Sequence, residues 1–380
     1  MKLLFITGSR GEWGYIRPVL EICKKKKINY KLCVTNMHLL DSFGSSINEI
    51  KNDGFKVHET IYMALDGYNN ITMAKSLGVL MVSLADVVSR LKPDWIILAG
   101  DRGETLISSI ISAYTNIPVA HIQAGELSGI VDGQARHAIG KFSNLHFAAN
   151  IDAAKRLVKL GEQKFRIKLV GAPQLDDLYK KDILKGNLKT IEKKYNLNLK
   201  KGYLLCVYHP AKQKIENLKS EFKTIFNFLS KINVNKIWIS PNNDAGSGVI
   251  KNEFLKNRKS TDFIFDNLPR KDYLILLRNS KCIVGNSSSG IIESSSFKIP
   301  CINIGDRQKG RYRAKNVIDV QNVDLKNLVS AYKKINTKKF KSKIKKITNP
   351  YGDGKSSERI INELLKTKID DKLMQKEMTY

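Results

Sequence analysis

Short apolar runs alternate with longer amphipathic segments along the whole chain. Such runs are typical of strands buried in a parallel sheet, and the segments between them are typical of crossover helices. The sequence therefore predicts an α/β protein. The predicted strands are 2–7, 31–35, 95–99, 118–122, 145–148 and 168–170 in the first half and 203–208, 236–239, 262–265, 282–284 and 299–303 in the second half.

Segment 70–92 predicts a long helix, because its apolar residues recur at helical spacing. The residues of this apolar face are Ile71, Met73, Ala74, Leu77, Leu80, Met81, Leu84, Val87, Val88 and Leu91. A further helical stretch, 355–376, follows a cluster of turn-forming residues at 349–354. We expect this terminal helix to cross back and brace the first half.

The chain has 380 residues, which exceeds the size at which a single core keeps growing. A stretch rich in lysine and asparagine divides its two similar halves. The fold class predicted is two doubly wound Rossmann-like domains facing a cleft. The predicted organisation is a first domain at 1–183, a helical linker at 184–201, a second domain at 202–354 and a C-terminal helix within 355–380.

Composition narrows the possible environments. The five cysteines form no CxxC pair and lie mostly in apolar runs, which is typical of buried thiols in a reducing cytosol. No HExxH or CxxC motif is present, so we expect no metal site. No uncharged apolar run approaches the roughly 20 residues of a membrane span, and the apolar start at 2–7 reads as a strand. These features predict a cytoplasmic protein without a membrane partner.

The formal net charge of +29 raises the alternative of a protein that binds nucleic acid or another polyanion. The lysines are scattered through helical segments with little aromatic interleaving, which is typical of solvated faces. We therefore expect no nucleic-acid partner.

In open parallel sheets, ligands bind at the carboxyl ends of the strands. After the first strand, the glycine-rich turn 8–14 carries Arg10, which suits a phosphate. Asp101 and Arg102 follow strand 95–99. Asp101 is either a residue that takes part in the chemistry or the N-cap of the next helix. The segment 121–137 then places Gln123, Glu126, Asp132, Arg136 and His137 in a short polar stretch with three glycines.

The second half has a similar polar segment at 285–293, directly after predicted strand 282–284. It combines small hydroxyl residues with glycine, which suits a phosphate, and its glutamate can reach a ribose diol. Nearby strand ends contribute further polar groups that can meet a diphosphate. The candidate residues are Ser287, Ser288, Ser289, Gly290 and Glu293, with His209 and Arg311.

Taken together, these motifs resemble the hydrolysing UDP-N-acetylglucosamine 2-epimerases of the sialic and legionaminic acid pathways. The resemblance covers nearly the whole chain. It rests on GSRGEWG at 8–14, GDR at 100–102, HIQAGELSG at 121–129, VDGQARHAI at 131–139, PNNDAGS at 241–247 with Asn242, GNSSSGIIE at 285–293, GDRQKGR at 305–311 and NPYGDGKSS at 349–357.

The resemblance implies a glycosyltransferase-B-like architecture, with the sugar on the side of the first domain and the nucleotide held mainly by the second. It implies a homodimer and no metal or redox cofactor. The implied reaction is elimination of the nucleoside diphosphate to a 2-acetamidoglucal, followed by addition of water with inversion at C2. The departing diphosphate needs prepared donors, and the C2 proton needs a base and an opposing acid.

Matching motif to motif, the family's catalytic carboxylates fall on Asp101 and Asp132, and many members carry a third carboxylate where this chain has Gln123. Glutamine transfers no proton at neutral pH, so Glu126 or His137 takes that role, while Gln123 orients an acetamido group. Trp13 is expected to form an aromatic wall that favours a 6-deoxy sugar. The substrate is thus either UDP-N-acetylglucosamine or N,N'-diacetylbacillosamine linked to UDP or GDP.

Two other enzymes fit the same motifs. A non-hydrolysing epimerase would keep the sugar attached to the nucleotide. A glycosyltransferase of the same fold would require an acceptor and would turn over slowly without one.

Overall fold

The structure is a computed structural model that describes residues 1–41, 45–66, 70–127, 132–210, 215–241, 247–259 and 262–379, without the side chains of residues 70, 132, 215–217 and 247. The chain forms two compact units. The first comprises Met1–Asp176 and Tyr351–Tyr380, and the second comprises Asp177–Pro350.

The first unit is built on a parallel sheet whose strand order is β3-β2-β1-β4-β5-β6-β7. The order reverses direction at β1 and β4, which are neighbours, so this unit has its topological switch point there. Its strands are β1 (Lys2–Thr7), β2 (Asn29–Thr35), β3 (Glu59–Ile61), β4 (Trp95–Ala99), β5 (Val119–Ala124), β6 (Leu145–Ala148) and β7 (Ile167–Leu169). Its helices before residue 177 are α1 (Arg10–Lys25), α2 (Ile47–Asn52), α3 (Asn70–Leu91), α4 (Gly103–Tyr114), α5 (Asp132–Phe142) and α6 (Ile151–Lys159).

The second unit repeats this plan with strand order β10-β9-β8-β11-β12-β13 and a switch point at β8 and β11. Its first helices are α7 (Lys181–Leu184) and α8 (Leu188–Tyr195). Its strands are β8 (Tyr203–Val207), β9 (Asn235–Ile239), β10 (Asp262–Phe265), β11 (Cys282–Gly285), β12 (Cys301–Ile304) and β13 (Val317–Val320). The remaining helices are α9 (Ile215–Ser230), α10 (Ser247–Asn257), α11 (Arg270–Asn279), α12 (Ser288–Ile292), α13 (Leu325–Asn336) and α14 (Lys338–Lys345).

The predicted fold class is confirmed, since both units are parallel α/β sheets covered by helices. Two strands were missed. Both β3 and β13 lie at the edge of their sheets, and their sequences, ETI and VIDV, contain charged residues. An edge strand has only one neighbour and need not be wholly apolar, so no apolar run marks it.

The linker predicted over 184–201 is wrong, because this stretch belongs to the second unit. Ile191 on α8 is buried, as are Leu197 and Leu199 after it. All three belong to the core cluster that contains Tyr203 and Leu276. The many lysines of this stretch are exposed. They outnumber its few buried apolar residues, so the sequence shows no clear apolar face.

Helix α3 covers one face of the first sheet. Leu80, Leu84, Val87 and Val88 are buried against the strands, as predicted. The start of the predicted apolar face differs, since Ile71 and other apolar residues on α3 are exposed. Within the described residues, α3 is the one helix long and apolar enough to cross a membrane, judged by length and composition alone.

The terminal stretch after residue 355 forms two helices, α15 (Ser356–Lys366) and α16 (Asp371–Met374), instead of the single helix expected over 355–376. The break has a local cause, because Asp370 caps the start of α16 by accepting a hydrogen bond from the Leu373 amide. Helix α15 packs in the core of the first unit, where Ile360, Ile361 and Leu364 are fully buried.

Candidate active site

The first group of candidate residues follows β4 and β5, at the switch-point edge of the first sheet. Asp101 follows β4 directly, and its carboxylate accepts a hydrogen bond from Arg136 on α5. The Arg136 side chain is only 4% exposed, and it also donates to the main-chain oxygen of Gln123 at 2.6 Å. A single buried guanidinium thus joins the ends of β4 and β5 to α5. The Asp101 carboxylate is thus paired with a buried guanidinium.

Gln123 is held in an unusual conformation beside this pair. Its φ of 65° lies in the left-handed region, where few residues other than glycine are found, and the register of β5 against β6 shifts here. Its side chain is buried and donates to the Gln174 side chain at 3.2 Å. Such strain persists only where the surroundings impose it, and it is common at functional sites. Sequence reasoning missed Gln174, because no local motif marks it.

Glu126 lies just beyond, and it is buried. Its carboxylate accepts a hydrogen bond from Asn150, whose side-chain oxygen also caps α6 through the Ala153 amide at 2.9 Å. Between Gln123 and Glu126 the chain passes through Gly125, where φ is 73° and an added Cβ would lie 2.5 Å from the Ala153 oxygen. Glycine is therefore required there.

His137 follows Arg136 on α5 and is half-buried. Burial, together with the positive charges of Arg136, Arg156 and Lys141, lowers the pKa of His137 below its ordinary value. The imidazole is therefore neutral near pH 7 and able to accept a proton. Asp132 begins α5, four residues before Arg136, and its side chain lies outside the described part of the structure.

The residues predicted to bind substrate after β1 and β4 are not all placed as expected. Arg10 is partly exposed and pairs with Glu49 at 3.2 Å, while Arg102 lies 3.6 Å from Glu104. Trp13 is buried in the core, packs edge to face on Phe55 and donates from its indole to Asp53 at 3.0 Å. The expected aromatic wall at Trp13 is wrong, because this side of α1 faces the interior.

A buried carboxylate pair beneath the switch point was also missed. Glu12 accepts hydrogen bonds from the Gly8 amide at 2.6 Å and from the Thr105 hydroxyl at 3.3 Å. Glu104 lies beside it and contacts the same turn, since a Cβ at Gly8 would lie 3.0 Å from its carboxylate. Burial first, and the charge of Glu104 second, raise the pKa of Glu12 to about 8.

In the second unit, Asn286 joins the loops at the switch-point edge. Its side chain accepts from the His209 amide at 2.7 Å and donates to the His209 oxygen at 2.8 Å. Its main-chain oxygen accepts from Gln308 at 2.9 Å and from Arg307 at 3.2 Å. Three strand ends, those of β8, β11 and β12, are thereby fixed together. Asn286 lies within the motif at 285–293, but sequence analysis did not predict that it joins these three strand ends.

Hydrogen bonds within the protein already hold the side chains of the serine-rich segment 285–293 in place. Ser287 caps α12, and Ser289 accepts from Tyr273 and donates to Glu293, each at 2.6 Å. Gly290 cannot carry a side chain, because an added Cβ would lie 2.8 Å from the Cys301 sulfur. Ser288 is partly exposed next to them.

Glu293 was predicted to reach a ribose diol. It is buried, with one oxygen 2.6 Å from Arg270 and the other engaged by Ser289. A ribose would have to replace one of these partners, so this role stays a prediction. Arg311 lies on the loop after β12, and its amide donates to the Gln308 oxygen. Asn242 lies outside the described residues. Across the described ranges, no three His, Cys, Asp or Glu side chains cluster closely enough to hold a metal ion.

Comparison with known proteins identifies the family. The profile of the family described as UDP-N-acetylglucosamine 2-epimerase matches residues 20–365. The chain belongs to this family. It is 36% identical over 369 residues to the UDP-N,N'-diacetylbacillosamine 2-epimerase (hydrolyzing) of Legionella pneumophila, with 96% of each chain covered.

Two further comparisons agree with this family assignment. The GDP/UDP-N,N'-diacetylbacillosamine 2-epimerase (hydrolyzing) of Campylobacter jejuni is 35% identical over 347 residues, which are 90% of this chain and 88% of that protein. The crystal structure of UDP-GlcNAc 2-epimerase from Neisseria meningitidis bound to UDP-GlcNAc superposes with a TM-score of 0.84 at 20% identity, covering 97% of this chain and 100% of the other. The resemblance inferred from the motifs is confirmed, and so is the architecture that it implied.

Proposed function

We propose that this epimerase-family chain is a hydrolysing nucleotide-sugar 2-epimerase, which releases a free N-acetylmannosamine-type sugar and a nucleoside diphosphate for nonulosonic acid synthesis. The observation that carries the proposal is the Asp101–Arg136 pair at the edge of the first sheet, within a chain whose relatives at 36% and 35% identity are both named as hydrolysing enzymes. Both of those names specify N,N'-diacetylbacillosamine, which favours a diacetamido substrate over UDP-N-acetylglucosamine.

The roles follow from the geometry of the first unit. Asp101, held in place by Arg136, acts as one proton-transfer group, with Asp132 as the family's second carboxylate. Gln123 cannot transfer a proton, and we assign it to the acetamido group instead. His137 is the better replacement for the missing carboxylate, because it is neutral and only half-buried. Glu126 is buried and already bonded to Asn150.

The second unit supplies the donors for the diphosphate. Ser287, Ser288 and His209 lie on loops that Asn286 holds together, and Arg311 adds a positive charge on the following loop. Preorganised donors of this kind stabilise a leaving group without rearrangement during the reaction. We assign them to the diphosphate that departs from C1.

The test is acceptor-free turnover in D2O, followed by NMR. We expect UDP-N,N'-diacetylbacillosamine to give free manno-configured sugar with deuterium at C2, together with UDP. The GDP-linked sugar and UDP-N-acetylglucosamine are assayed in parallel. An epimerised product still attached to the nucleotide would identify a non-hydrolysing enzyme. Free sugar without deuterium at C2 would remove proton exchange from the mechanism.

We also propose that the protein is cytoplasmic and forms a homodimer through α3. The five cysteines are buried free thiols, which suits a reducing compartment. On α3, Ile71, Met73 and Val82 are 67%, 60% and 71% exposed. Tyr114, at the end of the neighbouring helix α4, is 87% exposed. Ile71 and Val82 lie on the same face of α3, and exposed apolar side chains on one face are typical of a protein interface.

A further inference from the structure

Residues 370–379 form what we term the C-terminal strap, which is attached to the first unit at several points. Arg166 is fully buried and donates to the main-chain oxygens of Leu373, Lys372 and Gln375 at 2.6, 2.9 and 2.9 Å. Near the end of the strap, the Thr379 amide donates to the Gly161 oxygen at 2.9 Å. The strap is therefore an ordered part of the fold.

One strap residue contacts α5 directly. The Lys376 ammonium is 2.6 Å from the Gly140 oxygen, 3.1 Å from the Lys141 oxygen and 2.9 Å from the Ser143 oxygen. These carbonyls belong to the last turn of α5 and the residue after it, where a helix has no partners of its own for its carbonyl groups. A positive charge at this end also interacts favourably with the helix dipole, whose negative end lies there.

A buried carboxylate holds the ammonium in place. Glu162 lies 2.6 Å from Lys376, 2.9 Å from His146 and 3.1 Å from Lys141, and its side chain is 1% exposed. Burial lowers the pKa of His146, so at neutral pH the imidazole carries no charge. The charged groups that pair with Glu162 are therefore Lys376 and Lys141, with Arg166 acting on it at longer range, and of the two lysines Lys376 is the more buried, at 13% against 38% exposed.

The same helix carries the arginine of the candidate active site. Arg136 lies four residues before Gly140, so the helix turn that Lys376 caps directly follows the turn that places the guanidinium against Asp101 and Gln123. A helix shift at its capped end would move the reacting groups, and displacements of about 1 Å can lower a rate by 100-fold.

We propose that the C-terminal strap fixes α5 in its catalytic position and that Lys376, held by Glu162, is a positioning residue for the reaction. This inference rests on the function proposed above. Lys376 touches no reacting group. Its effect passes through the carbonyls of α5 to Arg136 and Asp101.

The experiment compares Lys376→Met with Lys368→Met in the full-length chain. Lys368 is an exposed lysine on the segment that leads into the strap, and it serves as the matched control. For Lys376→Met we expect kcat to fall roughly tenfold with KM within about twofold. Lys376→Arg, which keeps a donor and the charge, should recover part of the loss. Lys368→Met should match the wild type.

Hydrogen exchange provides a readout independent of turnover. In Lys376→Met, amides of residues 136–143 should exchange faster, while those of 103–114 in α4 keep their wild-type rates. Unchanged kcat together with unchanged exchange in α5 would overturn the proposal. Faster exchange throughout the first unit would overturn it as well, because it would show a loss of stability and not of positioning.

Two further outcomes are separable. If Lys376→Met does not fold, Lys376→Gln is measured against the same criteria. If the wild type releases no sugar from any of the three nucleotide sugars, the proposed function fails. The exchange pattern in α5 then decides the strap proposal alone.

Discussion

Arg136 shows how one buried side chain can organise a site made from separate strands. It contacts the Asp101 carboxylate and the Gln123 main chain, and it lies on the helix that Asp132 begins. A buried charged pair is costly to break, because the remaining partner is left without a counter-charge away from water. Substitutions here therefore need to preserve the hydrogen bond if they are to report on chemistry.

Asp101→Asn meets that requirement, because the amide oxygen can still accept from Arg136. We expect kcat to fall by about 10²- to 10⁴-fold, the usual contribution of a proton-transfer group, with UDP affinity unchanged. Asp94→Asn is the matched control, since Asp94 precedes β4 at its other end and is half-exposed. Steady-state kinetics and calorimetric UDP titration measure the two effects. An Asp101→Asn enzyme as fast as the control would remove Asp101 from the mechanism.

Glu12→Gln tests the buried carboxylate pair. The folded pKa of about 8 lies above the ordinary value of 4.5, so the folded state holds a proton that the unfolded state releases between these pH values. This contribution to stability is full below pH 4.5 and is lost as pH rises to 8, by up to roughly 1.4 kcal/mol per unit. In Glu12→Gln this loss should disappear, because the amide does not titrate.

Urea unfolding at pH 5, 6, 7 and 8 measures the effect. Trp13 and Trp95 provide the fluorescence signal of the first unit if Trp238 of the second unit is replaced by Phe. Glu358→Gln changes an exposed carboxylate in the same unit and should keep the wild-type pH dependence. An unaltered slope in Glu12→Gln would show that the proton is not bound there.

Helix α3 has a buried apolar face and an exposed one. One face closes the core against the first sheet, and the opposite face exposes Ile71 and Val82. Hydrophobic periodicity in the sequence identified the helix correctly but could not separate the two faces, because both are apolar. The short strands β3 and β13 illustrate the opposite difficulty, since their pairing is supplied by neighbours distant in the sequence.

Val82→Glu tests whether the exposed face of α3 is an interface. A carboxylate buried at an apolar interface has no compensating partner, so we expect the variant to sediment as a monomer where the wild type sediments as a dimer. Val158→Glu on α6 adds the same charge at another exposed valine and should leave the dimer intact. A wild type that is monomeric at micromolar concentration, or equal masses for both variants, would contradict the interface.

At the scale of the whole molecule, the sequence predicted two parallel α/β units and most residues at their switch points. Motifs identified segments whose residues contact one another in the structure, such as Arg136 with Gln123 and Ser289 with Glu293. They failed where partners come from distant segments: Gln174 beside Gln123, and Trp13, which turned out to face the core. The unit boundary was misplaced because lysines on α8 concealed the buried Ile191.

Acid should destabilise the first unit. His38 and His121 are fully buried, and burial lowers their pKa values to about 4 and about 3. Below pH 6.5 the unfolded chain binds a proton at each of these histidines, whereas the folded chain does not. The free energy of unfolding therefore falls as the pH falls, by roughly 1.4 kcal/mol per pH unit for each histidine. Glu12 opposes this loss down to pH 4.5, and there its contribution saturates.

The expected profile is therefore a gentle decline from pH 6.5 to 4.5 and a steeper one below. Glu162, whose pKa is lowered to about 2 in the folded state, adds to the steep part, because below pH 4.5 the unfolded chain binds a proton at this carboxylate and the folded chain does not. Urea unfolding in the same fluorescence background, between pH 6.5 and 4, measures both slopes. His121→Gln should decline less steeply than the wild type, and equal slopes would show that His121 takes up its proton in the folded state.

The return of residues 351–380 to the first unit also bears on synthesis. The ribosome makes the amino-terminal sheet first, but Ile360, Ile361 and Leu364, which help to complete the core of that unit, are translated only after the whole of segment 177–350. That segment contains all the residues of its own core cluster around Phe222 and Trp238. The core of the first unit can thus be completed only after the whole of the second unit has been translated.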